Sequence, residues 1–247
     1  MEIPHIIHYC WFGCGSKPRE MIECISSWKK YFPDWTIMEW NEKTTDMDQL
    51  CTYAKEAYAV GKYAFVSDYV RIKVLVELGG IYFDTDVQVV RDCRCLFEKR
   101  DIVLGFQSDR DLLTAMIAAI PGHPMLREFL DIYQVRRFKM AEGEYDYSAI
   151  NYHFNKLAKK YGVDLEQNTF QEISNNFVVY PSEYFCAFDL QKWHEIPTEK
   201  TCAIHHMASS WCSFRVRMKA AIIKRIVRFF GAKTYDKIYM FYRKGKK

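Results

Sequence analysis

Gly79-Gly80-Ile81-Tyr82-Phe83-Asp84-Thr85-Asp86-Val87 decides the fold of this chain. The two glycines close an apolar helical pattern that runs from Phe65 to Leu78. Glycine takes the left-handed backbone of a helix stop without steric cost. Ile81-Tyr-Phe83 is too short for a helix and reads as a buried strand that runs into two carboxylates. Toward the N-terminus, Ile3–Tyr9 reads as a first strand broken by Trp11-Phe-Gly-Cys-Gly15, followed by a helix Met21–Phe32 stopped at Pro33. Thr36–Trp40 reads as a strand and Asp46–Tyr58 as a polar helix. Toward the C-terminus, Val87–Val90, Ile102–Phe106, Phe177–Tyr180 and Ala203–His205 read as strands, and Met125–Arg137 and Tyr147–Tyr161 as helices. This alternation predicts an α/β fold with a mostly parallel central sheet flanked by helices. Residues 1–214 form one domain in this reading, and 215–247 an appended segment. Ligands of such sheets lie at the carboxyl ends of strands, where both Trp11 and the acids fall.

Asp-x-Asp occurs three times, at Asp46/Asp48, Asp84/Asp86 and Asp109/Asp111, so the tripeptide alone carries no information. Context separates them. The first lies on a polar helical stretch and the third in a polar loop; Asp84 and Asp86 alone end a buried strand. Two carboxylates there repel and need a cation or strong donors to stay charged. Mg²⁺ or Mn²⁺ suits such a pair, because these ions take one or two carboxylates and share the rest of their shell with substrate phosphates. A turn in which the acids cap backbone amides is the plainer alternative.

Asp68 and Arg71 stand three apart on the preceding helix, on the stripe of Ile72, Leu75 and Leu78. Charges on an apolar stripe belong at its edge, facing a cleft. Arg71 suits a phosphate or orients Asp68, and Asp68 suits sugar or ribose hydroxyls. An intrahelical salt bridge is the simpler reading of the pair taken alone.

The chain of 247 residues is 49% hydrophobic and 16% aromatic, enough to bury a core and too apolar for disorder. Its nine cysteines include no Cys-x-x-Cys pair, which argues for reduced thiols in a cytoplasmic setting rather than a disulfide framework or a zinc site. Ile6–Gly13 is too short for a signal-peptide core, and no stretch reaches the length of a membrane span.

The net charge of +4 is uneven: Arg215–Lys247 holds twelve basic residues and one acid, so the rest of the chain is net acidic. Arg217, Lys224, Arg225 and Arg228 gather on one side of a helical pattern, opposite Val216, Ala220, Ile223, Val227 and Phe230. The pattern suits a helix on an anionic membrane surface, peripheral on the inner face, and equally one packed on the body. No nucleic-acid recognition motif accompanies the charge.

Ser67-Asp-Tyr-Val-Arg71, with Leu75 and Leu78-Gly-Gly-Ile-Tyr-Phe-Asp84-Thr-Asp86-Val87, resembles the signature of glycosyltransferase family 32. Ile3-Pro-His-Ile-Ile-His-Tyr-Cys-Trp-Phe-Gly13 and His205-His206-Met-Ala-Ser-Ser-Trp211 are similar to its opening and closing segments. These are DXD-motif sugar transferases that include capsule and lipopolysaccharide enzymes and, more distantly, clostridial toxin glucosyltransferase domains. The resemblance implies a GT-A fold, a nucleotide-diphospho-sugar donor with a UDP-sugar favoured, Mn²⁺ or Mg²⁺, and retention of anomeric configuration. It implies transfer of a hexose to a glycan or lipid-linked acceptor in polysaccharide biosynthesis. By position, Trp11 stacks on the base, and Asp68 and Arg71 contact ribose or donor sugar. Asp84 and Asp86 hold the metal with His206, or alternatively His205, while Ser209 and Trp211 meet the diphosphate. Asp84, Asp86 and Arg71 are the catalytic group. One departure is that family members often carry an Asn near Leu112–Ala115, and this chain has none there. A metal-dependent phosphohydrolase or nucleotidyltransferase, or a non-catalytic nucleotide-sugar-binding protein, are the competing functions.

Overall fold

The structure, a computed structural model, describes residues 2–174, 176–189 and 194–208, with scattered residues between 218 and 235. In chain order its elements are β1 (Ile6–Cys10), α1 (Arg19–Tyr31), β2 (Thr36–Trp40), α2 (Thr52–Ala59), α3 (Tyr63–Leu78), β3 (Gly80–Phe83), β4 (Val87–Val89), β5 (Ile102–Ser108), β6 (Asp111–Leu112) and β7 (Met116–Ala119). Then come α4 (Pro124–Val135), α5 (Ile150–Lys160), β8 (Gln171–Ser174), β9 (Phe177–Tyr180), α6 (Ser182–Phe185), β10 (Phe188–Asp189), β11 (His194–Glu195) and β12 (Ala203–His205).

The main sheet runs β2-β1-β3-β7-β5-β9-β8, with β6 paired to β5. The α/β class and flanking helices match expectation, but the sheet is mixed. Parallel pairing is confined to β2-β1-β3 and to β5-β9. Between these blocks β7 runs antiparallel to both β3 and β5. It does so because β5 turns back through a tight hairpin into β6, with Arg110 at φ 71°, and the returning chain must oppose β5. The expected helix at Asp46–Tyr58 is also divided: a 3₁₀ turn at Met47–Gln49 precedes α2, and Leu50 and Cys51 are buried between them.

Strand alternation splits the core across the sheet. Cys10, Tyr82, Ile102, Leu104, Ile117 and Val179 face α2, α3, α4 and α5. Ile7, Tyr9, Ile81, Phe83, Val103 and Ala118 face the other way, against Trp28 and Phe32 of the α1 region and Phe185 of α6.

The junction of α3 and β3 has no spare room. Gly80 has φ 103°, and a Cβ there would stand 2.5 Å from the Ile6 carbonyl oxygen. Beside it lies fully buried His8, whose Nε2–H donates to the Gly79 carbonyl at 2.7 Å and whose Nδ1 accepts from the Trp40 indole at 3.1 Å. Burial pushes the His8 pKa down, in keeping with a neutral ring that uses one nitrogen as donor and one as acceptor. The start of β3, and hence its carboxyl end, is thereby fixed relative to β1 and β2.

Candidate functional site

Arg71 is the hub of the site. Its guanidinium is buried and contacts Asp68 Oδ1 at 2.9 Å and Asp84 Oδ1 at 3.2 Å. It donates to the Thr114 carbonyl at 2.7 Å and lies 4.7 Å from the centroid of the Tyr82 ring. The intrahelical contact with Asp68 is therefore real, but it is one of several: Arg71 reaches from α3 to the end of β3 and to the chain entering β7. Burial alone would lower its pKa; Asp84, Tyr82 and Asp68 more than reverse this, so the charge is permanent.

Asp84 receives a second donor, the Tyr82 hydroxyl, at 2.8 Å on Oδ1, and its backbone N–H donates to the Ala115 carbonyl at 2.9 Å. Asp86 is held differently. The Ala208 N–H donates to its Oδ2 at 2.8 Å, the His206 N–H donates to its carbonyl at 3.0 Å, and His205 Nε2 stands 3.3 Å from Oδ1. Antiparallel pairing of β12 with β4, His205 opposite Val87, delivers this histidine. Burial opposes charge on both partners, but their attraction prevails: the Asp86 carboxylate holds His205 well above the usual histidine pKa, and Asp86 lies well below the usual carboxylate range.

Ligand atoms of Asp84, Asp86 and His205 all lie within 4.8 Å of one another. Two carboxylate oxygens and an imidazole nitrogen, partly open to solvent, suit a divalent ion that leaves positions free for phosphate oxygens. His205 Nδ1 is buried without a nitrogen or oxygen partner, and the Cys186 thiol lies beside the ring. His206, on the next residue, points elsewhere: Nδ1 pairs with Glu195 Oε1 at 2.7 Å and Nε2 with Gln88 Oε1 at 3.0 Å.

Trp11 follows β1 directly, on the strand parallel to β3, with Ile7 opposite Ile81 and His8 opposite Tyr82. Its indole N–H donates to the Gly15 carbonyl at 2.6 Å, and Lys17 Nζ lies 5.6 Å from the ring centroid. Ser209, Trp211 and most of 215–247 lie outside the described residues. The other two Asp-x-Asp pairs serve local structure. Asp46 accepts from the Asp48 N–H, and Asp111 accepts from the Asn155 amide.

Sequence reasoning passed over the Thr114 carbonyl and the Ala208 N–H, which are main-chain groups without a side-chain signal. It also passed over Asn151, at the start of α5. The Asn151 amide donates to the Leu112 carbonyl at 2.6 Å and its Oδ1 accepts from the Thr114 hydroxyl at 3.2 Å. An asparagine thus does reach the Leu112–Ala115 segment, from a different part of the chain.

Burial, opposed by Arg71, pushes the Asp68 pKa up to about 6. Its unfolded value is about 3.9, so between these the folded state binds more protons, and this group's contribution to stability falls as pH rises through that window. Asp68→Asn removes the dependence. Relative to the native chain, its unfolding free energy in urea should improve by about 1–3 kcal/mol between pH 4.5 and pH 7. A constant difference across that range would refute the assignment.

Residues 18–103, about a third of the chain, match the family model described as a glycosyltransferase sugar-binding region containing a DXD motif. Arg71, Asp84 and Asp86 fall inside the match. Similar solved structures include PaToxG glycosyltransferase, at 20% identity over 68% of this chain and 80% of that one, TM-score 0.47. A glycosyltransferase involved in glycosylation of the major capsid of PBCV-1 is 7% identical over 90% of this chain and 100% of that one, TM-score 0.44. The UDP-bound glycosyltransferase domain of the YGT toxin is 13% identical over 67% and 69%, TM-score 0.42. No curated protein matches by sequence. The acid pair itself stands at the carboxyl end of β3, a central strand of the mixed sheet. Over residues 18–103 the chain is similar to the sugar-binding region of DXD-containing glycosyltransferases.

Proposed function

We propose that this protein is a retaining, metal-dependent hexosyltransferase that uses a nucleotide-diphospho-sugar, a UDP-sugar by preference. The observation that carries the reading is the meeting of Asp84, Asp86 and His205 beside the buried Arg71–Asp68 pair. Asp84, Asp86 and His205 would hold Mn²⁺ or Mg²⁺, with His205 preferred to His206 because only its ring faces the acids. A bound divalent ion supplies charge stabilisation for the diphosphate leaving group. The chain's own residues do the rest. Arg71 pairs with the Asp68 and Asp84 carboxylates and adds positive potential near the leaving phosphate. Asp68 accepts from donor hydroxyls, and Trp11 offers a ring to the base. The bond from anomeric carbon to diphosphate oxygen breaks, and the acceptor oxygen adds on the same face while its proton passes to the leaving phosphate. Ser209 and Trp211 are assigned to the diphosphate.

The acceptor is a glycan or a lipid-linked sugar of polysaccharide biosynthesis, capsule or lipopolysaccharide in kind. The domain is taken as 1–214. The segment 215–247, with twelve basic residues and one acid, is proposed to meet the anionic inner face of a membrane from a cytoplasmic location. Among the described residues no helix is long and apolar enough to cross a membrane.

A panel of nucleotide sugars screened by thermal shift with Mn²⁺ tests the reading. One donor at 100 times its Kd should stabilise the fold by about 2.7 kcal/mol. The same donor should be hydrolysed slowly when no acceptor is present. If no member of the panel shifts the transition or releases sugar, the transferase reading fails.

A further inference from the structure

The chain between α4 and α5 is firmly anchored. Arg136 pairs with Asp146 at 2.6 Å and packs over the rings of Tyr53 and Tyr133. Glu56 accepts from the N–H groups of Phe138 and Lys139, and the Asp146 N–H donates to the Phe138 carbonyl. Phe138 itself is fully buried. On this frame two large rings nevertheless stand in solvent: Tyr147 is 52% exposed and Tyr152 is 67% exposed.

Both are tied to the acid cluster. The Tyr147 ring meets Phe138 edge-on at 5.7 Å and Phe65 at 5.8 Å. Phe65 lies on α3, one turn before Asp68. Tyr152 follows Asn151, which bonds to Thr114, the residue whose carbonyl holds Arg71. The Tyr147 ring therefore stands on the Asp68 side of the site, and Tyr152 lies at the start of α5, next in sequence to the residue that bonds Thr114. Polar groups lie among them. Ser148 donates to Asp146, and His153 pairs with Ser148 at 3.3 Å and meets the Tyr152 ring at 5.0 Å.

Exposed tyrosines interleaved with hydroxyl, amide and imidazole groups suit a ligand with apolar C–H faces and a polar rim. A pyranose ring has that character. A lipid chain does not, since it would bury the Tyr147 and Tyr152 hydroxyls without offering them a hydrogen-bond partner.

We propose that Tyr147 and Tyr152 form the acceptor platform, on which pyranose rings of a glycan acceptor stack beside the donor sugar. The proposal rests on the transferase reading. The test uses the full chain, its best donor, and a panel of methyl hexopyranosides and di- and trisaccharides as acceptors. Tyr147→Ala and Tyr152→Ala should each raise the acceptor KM and lower the ratio of transfer to donor hydrolysis by about tenfold, a typical aromatic contact. Tyr152→Phe should keep most of the native ratio. Phe170→Ala, an exposed ring just before β8 that packs on Tyr180, serves as control and should leave the ratio unchanged. An unaltered ratio in both alanine variants overturns the platform while leaving the transferase reading intact. So does an acceptor requirement met by a polyprenyl-phosphate sugar in detergent and insensitive to both substitutions. If the native chain hydrolyses no donor, the transferase reading and the platform fall together.

Discussion

Asp86→Ala is expected to lower turnover by a factor on the order of 10³ and to abolish Mn²⁺-dependent donor binding. Both oxygens of the Asp86 carboxylate have partners. One of its oxygens is fixed by the Ala208 N–H and the other faces His205, so the carboxylate is set before any ion arrives. Its removal deletes a proposed ligand and leaves a partly buried histidine without its counter-charge. Asp86→Asn should do nearly as much damage, because it keeps an acceptor for Ala208 but loses the charge. The histidines provide an internal contrast. His205→Ala should weaken Mn²⁺ binding severely. His206→Ala, which loosens the contacts to Glu195 and Gln88, should cost no more than about tenfold. Calorimetric titration of Mn²⁺, read beside steady-state donor hydrolysis, measures both effects. Metal-dependent turnover surviving in Asp86→Ala would remove the basis of the site.

The helix stop, short strand and acid pair at 79–87 were legible because each step there is local: a glycine backbone, three apolar residues, a turn. Arg71 was legible as a charge on an apolar helix face, and its link to Asp68 followed from spacing. Its reach to Asp84 and to the Thr114 carbonyl was not, because that depends on how β7 is threaded. The Leu112–Ile120 run is apolar but for Thr114 and shows no period, so it could not be told from a buried helix. The strand that makes the sheet mixed, and that presents Thr114, was missed for that reason. The two adjacent histidines posed a different problem. Neighbours on a strand point to opposite faces, so only one of His205 and His206 could join the acids. Which one depends on the register of β12 against β4, a pairing of segments more than a hundred residues apart. Asn151 is a further case: its contact with Thr114 spans 37 residues and has no motif spacing to announce it.

Arg71→Met should destabilise the fold by about 3–5 kcal/mol, because it leaves buried Asp68 and half-buried Asp84 without their shared cation. For a domain of this size that corresponds to a fall in Tm of roughly 6–20 °C. Loss of packing cannot account for so much, since methionine fills most of the volume of the arginine stem. Arg71→Lys should recover only part of the loss: an ammonium cannot serve two carboxylates and the Thr114 carbonyl at once, nor lie flat on the Tyr82 ring. The charge origin of the effect can be isolated in two ways. Asp68→Asn combined with Arg71→Met should be more stable than the two separate losses add up to, giving a coupling energy of about 1–3 kcal/mol. Acidification should also narrow the gap between Arg71→Met and the native chain. Burial already lifts the Asp68 pKa to about 6, and without the arginine it titrates higher still, so protonation relieves the unpaired charge in the variant first. Urea unfolding of the native chain and the three variants at pH 5 and pH 7.5 measures this. A gap that stays the same at both values would mean that Arg71 supports the fold by contact alone, and that the positive charge assigned to the centre of the site has no electrostatic work to perform there.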